Sequence, residues 1–433
     1  MRTFQSLLLL AGLLAGQTEI HAQQVLAVNL EEAQQYAVEY NKTLKNAGLA
    51  VEAAKQSYLE TRAMGFPQAN ATIDYTNFLG AEISFKFGEG MPAATIPFKP
   101  TSNLQLTVAQ LIFNGSYIVG MQTAMIYRDL TKSGLERTGL EIKSQVAASY
   151  YTILMAERSR EILNGNLENI NDVFNKTRAM LAAGIAESTD VDQMAVQVTY
   201  LENAAVSADR QIELAYNLLR MLLGVDAQTQ ITLKDKLDDI LLKINFEATM
   251  SDQFSLDENI DYKMMNTQQL LSKKQIDLQR VSYLPTISGF YNHTEKILKP
   301  DFDMTPPNIV GLQMNVPIFS SGSRRAKVHQ AKINYETTLN NKSLLTDQLL
   351  IQEKQLRYNL RTGLEQYESQ KKNVEVSKRV YNNINLKYQQ GLVSSLDLTT
   401  ANNNYLQAES GYIGALMELL NAKLALAKLL NTL

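Results

Sequence analysis

Residues 310–319 read Val-Gly-Leu-Gln-Met-Asn-Val-Pro-Ile-Phe. Val310, Leu312, Met314, Val316 and Ile318 are apolar, with Gly311, Gln313 and Asn315 between them. A period of two belongs to a strand and gives it one apolar and one polar face. Residues 103–113 repeat the pattern: Leu104, Leu106, Val108 and Ile112 alternate with Asn103, Gln105 and Thr107, and both stretches end on Ile-Phe. Ile83, Phe85 and Phe87 alternate with Glu82, Ser84 and Lys86, and Thr286 to His293 does so less regularly. Four strands are therefore predicted, each roughly ten residues long, the length of a tilted strand that crosses a bilayer.

Working outward, the prolines delimit these strands. All nine lie between Pro67 and Pro100 or between Pro285 and Pro317. Proline interrupts helix interiors, so the long proline-free stretches are free to be helical. There the apolar period becomes seven: Leu360, Tyr367, Val374, Tyr381, Tyr388; Leu398, Tyr405, Tyr412, Leu419, Leu426; Val191, Val198, Ala205, Ile212, Leu219. A sustained heptad means helices packed as coiled coil. The helix from Gly120 to Ala183 would be roughly 95 Å long.

The features recur. Phe66-Pro67 matches Leu284-Pro285, Ile112-Phe113 matches Ile318-Phe319, and Gly184 with Asp190 matches Gly391 with Asp397. The chain thus reads as a duplication in which each half runs helix, strand, strand, long helix, turn, helix. The first repeat spans 23–245, with strands within 68–113, long helices within 114–223 and a connector from 224. The second spans 246–433, with strands within 285–319 and helices within 320–432. Val225 to Glu258 reads as an irregular, peripheral connector.

Arg2, the apolar run Leu7 to Leu14 and the segment ending at Ala22 read as a secretory signal peptide over 1–22. The chain has no cysteine and three histidines, one of them inside the leader, so disulfides, thiol nucleophiles and thiolate metal sites are excluded and a histidine metal site is disfavoured. A net charge of −3 gives no basis for nucleic-acid binding. No Gly-rich phosphate loop or G-x-S-x-G elbow is present, so the chain reads as something other than an enzyme, with no cofactor or metal. Four strands cannot close a barrel, and open edges are not tolerated in lipid, so several copies must share one barrel. A periplasmic coiled-coil structural or adaptor protein without a barrel is the alternative; it accounts for the leader and heptads and leaves the strands unexplained.

On these residues the chain resembles the TolC family of outer-membrane factors over essentially its whole mature length. The resemblance is carried by Leu30-Glu31-Glu32-Ala33 with Asn41 to Leu44, by Phe66-Pro67-Gln68, by Leu104 to Phe113 and by Leu284-Pro285-Thr286. Gly311 to Phe319 followed by Gly322, and the turns at Gly184 and Gly391, complete it. It implies an α+β membrane protein. Four strands per protomer would lie in a shared trimeric β-barrel, continued by a long α-helical coiled-coil barrel closed at its periplasmic tip. It also implies a homotrimer in outer-membrane lipid that works with a periplasmic adaptor (membrane fusion protein) and an inner-membrane pump or ABC transporter, in multidrug efflux or type I secretion.

The family's tip residues map onto Asp190, Thr189, Tyr388 and Asp397 of this chain, at corners turned by Gly184 and Gly391. The family's arginine falls on Val393 and its second pore aspartate on Thr400, so those two contacts are lost. Both aspartates also suit the first turn of a helix.

The segments 79–102 and 294–308 each join two barrel strands distal to the helices and should face the medium. An epitope inserted near Gly90 should leave assembly intact and bind antibody on whole cells; labelling only after permeabilisation would contradict this topology.

Overall fold

The computed structural model describes residues 25–86, 88, 90, 92, 94–244, 246–299 and 305–433. The expected signal peptide lies outside them. In chain order the elements are β1 (Val25–Val28), α1 (Leu30–Tyr40), α2 (Lys42–Ala63), β2 (Gln68–Thr76), β3 (Glu82–Phe85), β4 (Ala94–Pro97), β5 (Thr101–Phe113), α3 (Gly115–Ala182), α4 (Ser188–Leu223) and β6 (Gln230–Leu233). They continue with α5 (Leu237–Lys243), α6 (Phe246–Ser251), α7 (Ile260–Val281), β7 (Thr286–Leu298), β8 (Asn308–Asn315), α8 (Ser323–Gln389) and α9 (Ser395–Leu429). Among the described residues, no helix is long and apolar enough to cross a membrane. The chain forms two compact units.

One unit comprises Asn46–Arg137 and Leu256–Leu349. Its centre is a four-stranded antiparallel sheet in the order β2-β5-β7-β8. The register sets Ala71 opposite Leu106, Ile73 opposite Leu104, Val108 opposite Tyr291 and Tyr291 opposite Val310. One face therefore collects aliphatic side chains, joined in its outer part by His293, Glu295 and Asn308, and it is open: Ile73 is 70% exposed, Val310 82% and Leu312 77%. The other face carries Asn70, Thr72, Gln105, Thr107, Asn292 and Gln313. Gly311 is needed for close packing within this sheet, since a Cβ there would lie 2.6 Å from the Phe290 ring. The helices of this unit meet through polar contacts, including Ser272 with Thr338 at 2.9 Å and Lys274 with Gln122 at 2.9 Å.

Two strand expectations are corrected here. Glu82 to Phe85 of the alternating stretch are not in this sheet: they form β3, which pairs with β4 in a separate two-stranded ribbon, and Phe87 lies outside the described residues. The first strand of the sheet is β2, where Ala69, Ala71, Ile73 and Tyr75 alternate with polar residues. Alanine carries little apolar signal, and the stronger Ile83-Phe85 alternation next door drew the assignment. Second, β8 stops at Asn315, so Val316 and Ile318 are outside it. Pro317 has no amide hydrogen with which to extend the ladder.

The other unit comprises the residues up to Lys45, Thr138–Ser255 and Leu350–Leu433. Its main core buries Ala33, Ala37, Val146, Tyr150, Ile153, Leu219, Leu223, Leu416 and Leu420. Apolar residues at the heptad spacing, Leu219 and Leu426 among them, fall inside, as a seam between packed helices requires. The connector is neither irregular nor peripheral. Its β6 pairs in parallel with β1, and Ile231, Leu237 and Ile240 enter the main core. Asp235 fastens it, accepting from the Leu30 amide at 2.9 Å and the Tyr150 hydroxyl at 3.1 Å. That carboxylate binds an otherwise unpaired amide at the start of α1, beside the capping box of Asn29 and Glu32.

Leu219 has no exposed surface, whereas Leu242 is 87% exposed. Leu219→Ala should cost about 2–5 kcal/mol, and Leu242→Ala should stay within about 0.5 kcal/mol of the parent. Chemical denaturation followed by circular dichroism measures both; equal effects would place the core elsewhere.

Candidate functional site

Two helical corners carry the site residues singled out in the sequence. At the first, α3 ends in a left-handed glycine, Gly184 (φ 75°). The Gly184 amide donates to the Leu181 carbonyl at 2.9 Å and the Ile185 amide to that of Met180 at 2.9 Å. The second corner repeats this geometry. Gly391 has φ 72°, its amide donates to Tyr388, and the Leu392 amide donates to Lys387 at 3.0 Å. This paired bonding to the last carbonyls is the usual glycine stop, and any Cβ there is strained.

Each corner then starts a new helix with an aspartate in its first turn. Asp190 accepts from the Glu187 amide at 3.0 Å. Asp397 accepts from the Ser394 amide at 3.0 Å and the Ser394 hydroxyl at 2.7 Å, and its own amide donates back to that hydroxyl at 3.2 Å. The Ser394 contacts hold the Asp397 carboxyl below the ordinary aspartate range. Asp397 is exposed, as are Thr189 and Thr400. Thr189 turns its hydroxyl to Glu187 at 3.3 Å.

The corners are tied to each other. The buried Ser395 hydroxyl donates to Asp190 Oδ1, and the Gln193 amide group lies 2.8 Å from that hydroxyl. Beneath them lies a small apolar core of Val173, Met194, Tyr381, Tyr388, Leu398 and Ala401. Tyr388 is 5% exposed, and its phenol oxygen is 2.8 Å from Thr177 Oγ1. The single Thr177 proton goes to the Val173 carbonyl at 2.8 Å, so Tyr388 is the donor to Thr177. Burial pushes the Tyr388 phenol up; the Thr177 bond opposes this and the Asp190 charge adds to it. A cavity of about 300 Å³ adjoins Tyr388, lined also by Val173, Lys176, Ala179, Met180 and Gln389.

The structure thus brings Asp190 to the second corner and Tyr388 to the first helix pair, but through partners the sequence did not single out. Tyr388 bonds Thr177, and Asp190 bonds Ser395. Val393, where the resemblance places an arginine, packs against the apolar core instead. Thr177 had a weak signal: it is a polar residue seven after Ile170 and seven before Gly184, at a heptad position. Ser395 had none, because its role depends on the pairing of two corners 205 residues apart.

The chain matches the model of the outer membrane efflux protein family over residues 33–225 and 253–432. It is 23% identical over 414 residues to the probable efflux pump outer membrane protein TtgC of Pseudomonas putida, covering 93% of this chain and 82% of that protein. It is 22% identical over 202 residues to the proteases secretion protein PrtF of Dickeya chrysanthemi, covering 43% of this chain and 42% of that protein. Its fold is similar to that of the outer-membrane channel OprN, with a TM-score of 0.75 at 17% identity over 93% of this chain and 90% of that one. With a heptad-packed helical core, a sheet bearing an exposed apolar face and a family match covering most of its length, this chain belongs to the outer membrane efflux protein family.

Proposed function

We propose that three copies of this chain close one outer-membrane pore, the exit for substrates that an inner-membrane pump and a periplasmic adaptor hand across the periplasm. The observation that carries this reading is the four-stranded sheet. Its outer strands, β2 and β8, have no partner along their outer edges among the described residues. Because every neighbour is antiparallel, β2 and β8 run in opposite directions. The β8 strand of one copy can therefore pair antiparallel with β2 of the next, and the alternation continues around a ring. In lipid each unpaired backbone group costs several kcal/mol, which drives that closure. The exposed aliphatic face supplies the lipid contact and the Asn/Thr/Gln face the lumen. Two copies would give eight strands and three would give twelve; the family resemblance selects three.

The two halves, 23–245 and 246–433, are read as duplicated repeats, each contributing two barrel strands and a pair of long helices to a coiled-coil barrel. The partner is an RND-type or ABC-type exporter with its membrane fusion protein. The name of TtgC favours efflux, and that of PrtF favours protein secretion. No part of this reading involves catalysis.

The corners are read as the periplasmic gate. Three copies would bring three Asp397 carboxylates to the axis, an acidic ring that favours cations. Asp190, Thr189 and Tyr388, held at corners turned by Gly184 and Gly391, keep the helices inward.

Mass measurement in detergent should give about three times the protomer mass, following from the closure argument; a folded, stable monomer would end the barrel reading. In planar bilayers Asp397→Asn should lower cation selectivity, and Tyr388→Phe combined with Asp190→Ala should raise resting conductance. If both aspartates only cap helices, these variants lose about 1 kcal/mol of stability each and conduct like the parent, and the gate assignment is withdrawn.

A further inference from the structure

The chain between β2 and β5 does not simply bridge them. The Ala81 amide donates to the Phe78 carbonyl at 3.0 Å, and the two residues between, Leu79 and Gly80, have φ of 50° and 79°. Two successive positive φ values inside a hydrogen-bonded turn reverse the chain tightly. The chain therefore folds back just beyond the end of β2 instead of running on into the medium. It then forms the ribbon of β3 and β4, whose strands pair with each other and, among the described residues, with no strand of the four-stranded sheet.

The ribbon is amphipathic. Ile83 lies opposite Ile96 and Phe85 opposite Ala94, and the Phe98 amide extends the ladder by donating to the Ala81 carbonyl at 2.9 Å. Ile83, Phe85, Ile96 and Phe98 thus share one face, with the Phe78 ring 5.2 Å from that of Phe98. Glu82, Ser84 and Thr95 share the other, the two hydroxyls 3.3 Å apart. All five large apolar side chains are exposed.

The sheet says what covers that face. The nine residues of β2 span roughly 30 Å at about 3.3 Å each. Tilted by about 40°, they cross some 23 Å, close to the apolar band of about 25 Å in outer-membrane barrels. The last row shared by three strands places Tyr75, Ser102 and Leu298 side by side, one row inside Thr76 and Thr101, and Tyr75 and Leu298 are exposed there. Along β2 and β5 the apolar face thus runs up to the rim, while β7 brings His293 and Glu295 into it opposite Leu106 and Leu104. The 78–81 turn begins at headgroup depth and sends an apolar ribbon back from it.

We infer that the β3–β4 ribbon is an interfacial anchor: Ile83, Phe85, Ile96 and Phe98 seat in the lipid of the outer leaflet, with Glu82, Ser84 and Thr95 toward water. An amphipathic element of this kind binds in the plane of the interface through its buried apolar area. It fixes the height of the barrel in the membrane. The inference rests on the reading of the sheet as membrane-embedded, and the test separates the two.

The chain contains no tryptophan, so a single introduced indole reports on its own site. Ile96→Trp, Phe85→Trp and Leu312→Trp would each be reconstituted as the full assembly in phosphatidylcholine vesicles with brominated acyl chains. Leu312→Trp, on the sheet's apolar face, should be quenched most by bromines deep in the chain. Ile96→Trp and Phe85→Trp should be quenched as well, most strongly by bromines nearest the headgroup. Quenching of the two ribbon indoles by aqueous iodide and not by bromine would place the ribbon in water. Quenching by neither would show it covered by protein, such as the ribbon of a neighbouring copy. Either result overturns the anchor. If Leu312→Trp itself escapes bromine, the membrane reading of the sheet falls and the anchor with it.

Discussion

The backbone hydrogen bond in a medium without water is the constraint on which the rest depends. A peptide group at the edge of a sheet is satisfied by solvent in the periplasm and by nothing in a hydrocarbon layer. A sheet of four strands with an aliphatic face and two edges unpaired among the described residues is therefore incomplete as a membrane element. Its composition is suited to lipid on one side and water on the other, and its strand directions let identical copies complete one another. In the proposed assembly, oligomerisation is part of folding: the closure that gives each strand its partner also makes the pore.

The helical unit obeys a different rule. Its heptad seams bury apolar side chains and leave charged faces toward solvent. Its polar links are placed where helices begin and end. Asp235 accepts from the first amide of α1, Asp397 from the Ser394 amide that caps α9, and Asp190 from both the Glu187 amide that caps α4 and the Ser395 hydroxyl of the other corner. In Asp190 the capping role and the corner-to-corner role use different carboxylate oxygens, so one does not displace the other. The same residue is thus structural in one helix and a link between two.

Much of this architecture is legible in the sequence because it rests on period and punctuation. The clustered prolines, the alternation in Leu104 to Val108 and the heptads through Tyr381 and Tyr388 are local signals read against fixed geometries. The errors arose where local signals competed or vanished. Ile83 and Phe85 alternate more strongly than Ala69 and Ala71, yet the weaker pattern belongs to the sheet, because pairing with β5 is decided by register. The connector looks irregular because β6 and α5 are too short to show a period, and their place in the core follows from contacts with β1 and Tyr150. At the corners the glycines and aspartates were visible. Thr177 showed only its heptad position and Ser395 nothing, since a lone hydroxyl gains its role only from a partner brought near by the fold.

The central claim is that β8 of one copy pairs with β2 of the next. The chain has no cysteine, so pairs can be introduced without background. One cysteine would be fixed at Thr72 in β2 and a second moved through 309–315 in β8, with the outer-membrane fraction then oxidised. The account predicts disulfides between copies at alternate positions around one register, giving a ladder that ends at three linked chains. Absence of intermolecular links at every position, or a ladder that continues beyond three, would contradict it.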